Sequence, residues 1–318
     1  QGADIVDKSP CAAPVDAESD EHATYIAQLL VAPDFGIAPK ATIYNYVSIL
    51  DAQKSSDDCS LGWTRPAGRA KLDYLIEQAI NDGADIISIS STYGKNESQG
   101  MRWAISRAAL SGVPIVDGAG NDRTRDPDNS LGMWGGVIGV SALDKDGNFA
   151  DYSNYGEGVT LSAVGVVVGR STLDNQLKEA RGTSFAGPMV AGFLALAWQR
   201  FRSPDLSVNQ VLQAVLATAW GTNGQWNERT GYGEINPAAL LAADPSQYPE
   251  ENPLLEKGSR FAFHRDDLYD YYYGLANPRD VLNDDGYVYR GVDEESALSE
   301  GQGYEVHLGT SPLYHYSG

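Results

Sequence analysis

Short apolar runs alternate with amphipathic stretches over most of the chain, up to about Ala243. The apolar runs have the length and composition of β-strands, and they are ADIVD (3–7), ATIYNYVSI (41–49), ADIISIS (84–90), PIVDGAG (114–120), GVIGVSAL (136–143) and VTLSAVG (159–165). The amphipathic stretches repeat apolar residues at helical spacing, and they are HATYIAQLLV (22–31), KLDYLIEQAINDG (71–83) and GMRWAISRAALSG (100–112). This alternation predicts an α/β fold in which right-handed helical crossovers join the strands of a mostly parallel central sheet.

The pattern changes at DPSQYPEENP (244–253), where Pro and acidic residues cluster. The sequence beyond this point is rich in Tyr, Asp and Gly, as in DDLYDYYYGLANPRD (266–280). We predict one domain over residues 1–245 and a C-terminal extension of unknown role over 246–318. Packing on the first domain, a small separate module and docking on a partner protein through the tyrosines all fit this composition.

The charge balance excludes two classes of partner. Of the 318 residues, 43 are acidic and 23 are basic, which gives a formal net charge of -20 at pH 7. Nucleic acids and anionic membranes are bound by clustered Lys and Arg, so we expect neither as a partner. Membrane insertion is not expected either, because no apolar run approaches the roughly 20 residues of a membrane-spanning helix.

The N-terminus and the cysteines bear on location. The start QGADIVDKS lacks the charged and apolar segments of a signal peptide. A secreted protein whose leader has been removed would begin in this way, and we expect a secreted or otherwise extracytoplasmic protein. Cys11 and Cys59 are the only cysteines, so they allow one disulfide at most and do not match a zinc site of four close ligands.

The segment ARGTSFAGPMVAGFLALAWQRF (180–201) carries the first candidate chemistry. Ser184 directly precedes a strongly apolar stretch and should lie at a helix N-terminus. There the helix dipole and free N–H groups favour negative charge, as a serine nucleophile and its oxyanion require. Gly182 leaves room for substrate, and Pro188 should fall in the first helical turn, where no hydrogen bond is lost. An ordinary Ser or Thr helix cap is the alternative interpretation.

One histidine stands apart from the others. The chain has four, and only His22 begins an amphipathic helix; His264, His307 and His315 lie in the extension. A lone histidine on a helix is more often structural than catalytic, so His22 needs support from other motifs.

These motifs together resemble the subtilisin family of serine proteases, in which an aspartate, a histidine, an asparagine and a serine occur in that order. GTSFAGP (182–188) is similar to the family's serine motif, PIVDGAGND (114–122) to its asparagine motif, and HATYIA (22–27) to its histidine motif. The resemblance extends from about Ala3 to Ala243. It implies a three-layer subtilisin-like fold, with helices on both sides of the sheet, and makes residues 1–245 the catalytic domain.

The resemblance also implies the catalytic roles. Ser184 would be the nucleophile, His22 its base, Asn121 the oxyanion donor and Asp7 the acid that orients the histidine. Asp7 ends the strand ADIVD, although Lys8 and Ser9 follow it where the family has Ser or Thr and then Gly. Asp16 and Asp20 in the acidic stretch before His22 are left as alternatives for the acid.

Two segments are expected to line the substrate cleft by similarity. One consists of Ser90, Ser91 and Thr92, along which an extended substrate would add as a β-strand. The other consists of Gly118, Ala119 and Gly120. Thr92 and Tyr93 are bulkier than the glycines usual in the family, which predicts a narrowed cleft and restricted specificity.

The sequence thus predicts a serine endopeptidase that acts on peptides or proteins through an acyl-enzyme. No cofactor is required; the resemblance allows a structural calcium, but no metal site can be assigned. A pro-region or protein partner could engage the extension. The alternative is a catalytically silent scaffold that binds peptides or a partner protein. An α/β-hydrolase esterase fits poorly, because it would place its Ser before Asp and His on a Gly-x-Ser-x-Gly turn.

Overall fold

The structure is a computed structural model, and it describes residues 4–9, 17–47, 64–65, 69–70, 72–91, 99–255, 257 and 266–268. The strands are β1 Ile5–Asp7, β2 Ile43–Asn45, β3 Thr64–Arg65, β4 Arg69–Ala70, β5 Ile87–Ile89, β6 Ile115–Gly118, β7 Val137–Leu143, β8 Val159–Val164, β9 Val166–Arg170 and β10 Leu177–Arg181. The helices are α1 Ala17–Val31, α2 Leu72–Asn81, α3 Gln99–Leu110, α4 Thr183–Phe201, α5 Val208–Thr218 and α6 Pro237–Ala242.

The central sheet has the strand order β5-β6-β7-β8, and all its neighbours are parallel. Successive side chains of a strand point to opposite faces. Ile115 and Val137 accordingly pack with α2 and α3 on one face, whereas Val116 and Ile138 pack with α4 and α5 on the other. Helices on both faces of a parallel sheet confirm the three-layer α/β fold.

Helix α4 forms the centre of one layer. It is apolar on nearly all sides because it is enclosed by the sheet and by α5, with Val190, Leu194 and Ala197 among its buried residues. Each fully buried Val or Leu contributes about 1.5–3 kcal/mol, so this helix is firmly held. Its N-terminus lies against β5 and β6, which brings the first turn of α4 to the edge where the parallel strands end.

Smaller sheets flank the central one. β1 pairs in parallel with β2, and β9 pairs with β10 in an antiparallel hairpin. The hairpin was not among the predicted strands, because its alternation of exposed and half-buried residues in LKEAR (177–181) is weak in hydrophobicity. β10 runs directly into Gly182, so the hairpin delivers the chain to the start of α4.

Part of the predicted extension packs on the first domain. Gln210 Nε2 donates to the backbone O of Tyr248 at 3.2 Å, and Leu254 is buried in the α4 layer. The boundary at 245/246 stays a prediction. Cys11 and Cys59, which allow one disulfide at most, lie outside the described residues. No helix in the described ranges has both the length and the apolar character that crossing a membrane would require.

Candidate active site

Ser184 and His22 meet although 162 positions separate them in the chain. Ser184 is the second residue of α4, and His22 lies in the second turn of α1. His22 Nε2 is 2.8 Å from Ser184 Oγ, and the imidazole packs on the Phe185 ring with 5.3 Å between ring centroids. This is the hydrogen bond that a histidine base needs in order to take a proton from a serine hydroxyl.

Two opposing effects act on the charge of His22. Burial lowers the pKa of the imidazole, and the negative charge of Glu18 raises it. Glu18 precedes His22 by four residues on α1, and residues at this spacing are neighbours on a helix surface. The net effect is a lowered pKa, which keeps the imidazole neutral and able to accept a proton near pH 7.

Asn121 is fixed by the residue before the nucleophile. Its Oδ1 accepts hydrogen bonds from Thr183 N at 2.9 Å and Thr183 Oγ1 at 3.1 Å. With its oxygen engaged, Asn121 presents its NH₂ group as a donor. A methyl group built on Gly182 would lie 3.3 Å from Asn121 Nδ2 and 3.0 Å from Ser184 Oγ, so Gly182 keeps open the space between amide and hydroxyl.

The predicted glycine wall is packed against the nucleophile segment. A Cβ on Gly118 would lie 2.7 Å from the backbone O of Thr183, so only glycine allows β6 to approach this closely. Gly120 has φ +99° and donates its N–H to Thr183 Oγ1 at 3.0 Å. Ala119 lies buried between them and donates its N–H to the backbone O of Val140.

Sequence reasoning missed Asn154, which organises the loop around Asn121. Asn154 is 0% exposed; its Oδ1 accepts from the N–H groups of Asp122 and Thr124 at 2.9 and 2.8 Å. Its Nδ2 donates to the backbone O of Ala119 at 3.0 Å. The string SNYG (153–156) lies in a segment that resembles the family, but nothing in the string says which backbone groups the asparagine binds.

The other predicted wall begins at the end of β5. Ser90 Oγ donates to the backbone O of Ser184 at 3.0 Å, so this side chain contacts the nucleophile residue itself. Ser91 is half-buried beside it, and Thr92 lies outside the described residues.

The prediction that Pro188 falls in the first turn of α4 is wrong. Pro188 is the sixth residue of α4, and a proline there removes one N–H donor from the backbone hydrogen bonds of the helix.

The structure gives different information about the three candidates for the acid that orients His22. Asp7 ends β1 as expected, is exposed, and its Oδ1 accepts from Ser9 N at 3.0 Å and Ser9 Oγ at 2.6 Å. No hydrogen bond joins Asp7 to His22 among the residues that the structure describes. Asp20 is exposed two residues before His22, a spacing that does not face it on a helix. Asp16 lies outside the described residues.

A buried carboxylate lies directly behind the glycine wall. Asp117 Oδ2 accepts from the N–H of Gly132 at 2.9 Å, and burial raises the pKa of this carboxyl to about 7 despite its hydrogen bonds. Lys257 Nζ donates to the backbone O of Gly132 and Val137 at 3.1 and 2.6 Å. Burial lowers the pKa of Lys257 to about 7, and the charge of Asp117 opposes that shift. The described C-terminal segment thus reaches the sheet beneath the site.

Metal ligands are not clustered in the described part of the chain. No group of three or more His, Cys, Asp or Glu residues there is arranged to hold a metal ion. The chemistry of the site is that of a serine hydroxyl, an imidazole and an amide donor grouped at a helix N-terminus.

This arrangement has counterparts among known proteins. The model of the subtilase family, peptidase S8, matches residues 5–233. The chain belongs to the subtilase family. The finding confirms the resemblance drawn from the motifs, over nearly the range from which it was drawn.

Two relatives named as proteases align with most of the chain. A thermostable alkaline protease of Halalkalibacterium halodurans is 33% identical over 209 residues, which are 64% of this chain and 53% of that protein. Subtilisin DY of Bacillus licheniformis is 28% identical over 230 residues, 70% of this chain and 78% of that protein. The chain thus spans about half the length of the first and most of the second.

A solved structure agrees in fold. The protease domain of PatA, solved as a serine-to-alanine mutant, has a TM-score of 0.62 and 26% identity, and the match covers 76% of this chain and 87% of that one. Family, fold and relatives together support serine endopeptidase activity and confirm the predicted enzyme class. A catalytically silent scaffold is not favoured.

Proposed function

We propose that this subtilase hydrolyses peptide bonds with Ser184 as nucleophile, His22 as general base and Asn121 as oxyanion donor. The observation that carries the proposal is the 2.8 Å hydrogen bond between His22 Nε2 and Ser184 Oγ at the N-terminus of α4. A serine that only caps a helix needs no histidine hydrogen-bonded to its hydroxyl. A serine nucleophile does need one, because the histidine takes its proton.

The reaction follows from this geometry. Ser184 Oγ forms a bond to the substrate carbonyl carbon while its proton passes to His22 Nε2. The oxyanion receives hydrogen bonds from the Asn121 NH₂ group and the Ser184 N–H, which belongs to the first turn of α4 and has no partner within the helix. His22 then gives its proton to the leaving amine as the C–N bond breaks. Water then adds to the acyl carbon and gives a proton to His22, and the ester bond breaks as His22 returns that proton to Ser184 Oγ. No cofactor takes part.

Asp7 is our proposed acid for the triad, on the strength of the family resemblance and its place at the end of β1. Such a carboxylate would bind the second ring nitrogen of His22 and stabilise the imidazolium. In the structure it is Ser9 that Asp7 contacts, so the proposal implies that its carboxylate turns to His22 when the enzyme acts.

The substrates are peptides or proteins, and we propose that the chain cleaves few sites in them. Ser90, Ser91 and Thr92 would form one wall of the cleft, and Gly118 to Gly120 the other. The patellamide maturation protease PatA is 26% identical to the chain, and its name assigns it to the maturation of patellamide. Thr92 and Tyr93 also stand in the sequence where the family has glycines, which supports a narrowed cleft.

We further propose that the protein acts outside the cytoplasm. One relative, 30% identical over 249 residues, is a minor extracellular protease of Bacillus subtilis. A pro-region or protein partner that binds the extension beyond residue 245 remains part of this proposal.

The test is labelling and cleavage by purified protein. A fluorophosphonate should modify the wild type at Ser184, and a peptide library should show a short list of cut sites. Ser184→Ala should lose both labelling and cleavage, and His22→Ala should lose at least about 10³-fold in activity. Asp7→Asn beside Asp16→Asn and Asp20→Asn identifies the acid, because only the loss of the acid should reduce activity nearly as much as the loss of His22.

Folded wild type that neither reacts nor cleaves would overturn the proposed function and revive the binding scaffold. Cleavage that survives in Ser184→Ala would overturn the assignment of the nucleophile alone.

A further inference from the structure

We propose that the Ser90 hydroxyl positions the nucleophile, because it supplies the hydrogen bond that Pro188 withholds from the Ser184 carbonyl. This inference rests on the proposed role of Ser184 and adds a residue to that machinery. Ser90 would act through the backbone of Ser184 and not on the reacting atoms.

Pro188 creates the need for such a group. In an α-helix, the N–H of residue 188 would donate to the C=O of residue 184, four positions earlier. Pro188 lies inside α4 and has no N–H, and a proline ring also crowds that carbonyl. The nucleophile residue therefore loses its regular helical partner at its own backbone oxygen. A carbonyl left without a partner in a partly buried position is costly.

Ser90 provides the replacement. Its Oγ donates to the Ser184 oxygen at 3.0 Å, although the two residues are 94 positions apart. Ser90 follows β5 directly, and the buried side chains of Ile87 and Ile89 hold the end of that strand in the core. The donor therefore stands on a rigid support that belongs to a different layer from α4.

The contact bears on reactivity because the backbone of Ser184 sets the direction of its side chain. Oγ must stay within hydrogen-bond distance of His22 Nε2, 2.8 Å in this structure. A misplacement of about 1 Å can cost about 10²-fold in rate, so a smaller shift of the first turn of α4 should cost about 10-fold. The role differs from lining the cleft, which uses the backbone of Ser90 and survives the loss of its hydroxyl.

A double-mutant cycle tests the inference. Ser90→Ala, Pro188→Ala and the double variant are compared with the wild type. Ser88→Ala is the matched control, because it makes the same change at an exposed position of β5. Two quantities are measured: the limiting rate at which a small fluorophosphonate modifies Ser184, and kcat and KM on a peptide substrate.

Ser90→Ala should lower the limiting modification rate and kcat about 10-fold, with KM unchanged. In Pro188→Ala the new N–H can donate to the Ser184 oxygen, so adding Ser90→Ala there should cost less than about 2-fold. Ser88→Ala should match the wild type. If Ser90→Ala does not fold, recovery of folding in the double variant supports the inference, and its failure to recover overturns it.

Equal losses in both backgrounds, no loss at all, or a rise in KM alone would overturn the positioning role while leaving the proposed function intact. A wild type that is not modified by the fluorophosphonate would overturn the proposed function and the positioning role together.

Discussion

The two sides of the active site differ in how deeply their supporting residues are buried. On the oxyanion side, Thr183 is 2% exposed and Asn154 is 0% exposed, and both bind the loop that carries Asn121. On the base side, His22 is half-buried, and the acidic residues Asp7 and Glu18 are exposed. The geometry of the first side is thus fixed by the core, whereas the electrostatics of the second are screened by solvent.

The difference implies two kinds of response to mutation. Changes on the oxyanion side should alter activity strongly, and stability as well wherever buried hydrogen bonds are lost. Changes to the acidic residues of the base side that act only by charge should shift the pH dependence of activity and leave the fold intact.

Gly182→Ala should give the largest effect on activity. The added methyl group would occupy the space between Ser184 Oγ and Asn121 Nδ2, where the substrate carbonyl has to enter. We expect kcat/KM to fall by about 10²- to 10³-fold. The melting temperature should fall as well, because Gly182 has φ +158°, where an L side chain strains the backbone. Gly147→Ala is the control for backbone strain, since Gly147 also has a positive φ of +81° but a Cβ there meets nothing within 4 Å. It should lower the melting temperature and leave kcat/KM unchanged, and normal activity in Gly182→Ala would disprove the proposed entry point.

Asn154→Ala should impair activity and stability together. It removes a buried side chain and leaves the N–H groups of Asp122 and Thr124, which are partly buried, without their acceptor. We expect a loss of about 3 kcal/mol in the free energy of unfolding. The loop that carries Asn121 should shift, with a fall in activity of about 10²-fold. Urea unfolding and peptide cleavage measure the two.

Asn148→Ala removes the same side chain from an exposed turn and should cost under about 1 kcal/mol. Comparable losses of unfolding free energy in Asn154→Ala and Asn148→Ala would show that the burial of Asn154 does not cause the loss.

Asp117→Asn should change how stability depends on pH. Burial raises the pKa of Asp117 in the folded state to about 7, above its value of 3.8 in the unfolded chain. The stability from this group is therefore full below about pH 4 and is lost as the pH rises toward 7. Between about pH 4.5 and 6, the wild type should lose about 2 kcal/mol relative to the variant. Urea unfolding of both proteins at the two pH values measures this difference. An equal change in the free energy of unfolding for the wild type and the variant would contradict a raised pKa.

Glu18→Gln should give the smallest effect. The charge of Glu18 raises the pKa of His22, so its removal should lower that pKa. Because His22 accepts a proton only when neutral, the acidic limb of kcat/KM should move to lower pH. Asp34→Asn removes the same charge from an exposed position after the end of α1 and should leave the limb in place. A fixed limb in Glu18→Gln would show that the two groups are not coupled.

The site residues could be predicted from the sequence where contiguous residues form a recognisable motif. The strings around Ser184, Asn121 and His22 indicated which residues would meet, and the alternation of strands and helices predicted the layers. Gly83 and Gly112, which follow α2 and α3, have positive φ values of 82° and 65°, as the predicted helix ends require.

Contacts between distant segments that depend on a single side chain could not be predicted from the sequence. No local pattern tells that the hydroxyl of Ser90 reaches the carbonyl of Ser184, or that Lys257 reaches the sheet beneath Asp117. Such contacts depend on where layers meet, and a helix, strand or turn has the same local pattern with or without them. The contacts of Asp7 are unpredictable for the same reason, since placing a residue at a strand end does not orient its carboxylate.

The burial of Lys257 has a practical consequence for anyone who prepares the enzyme as a shortened fragment. The match to the family model ends at residue 233, which invites a cut soon after α6. A fragment ended there would lose Leu254 from the core and the Lys257 side chain that binds the backbone O of Gly132 and Val137. The smallest fragment worth expressing therefore runs at least to Lys257.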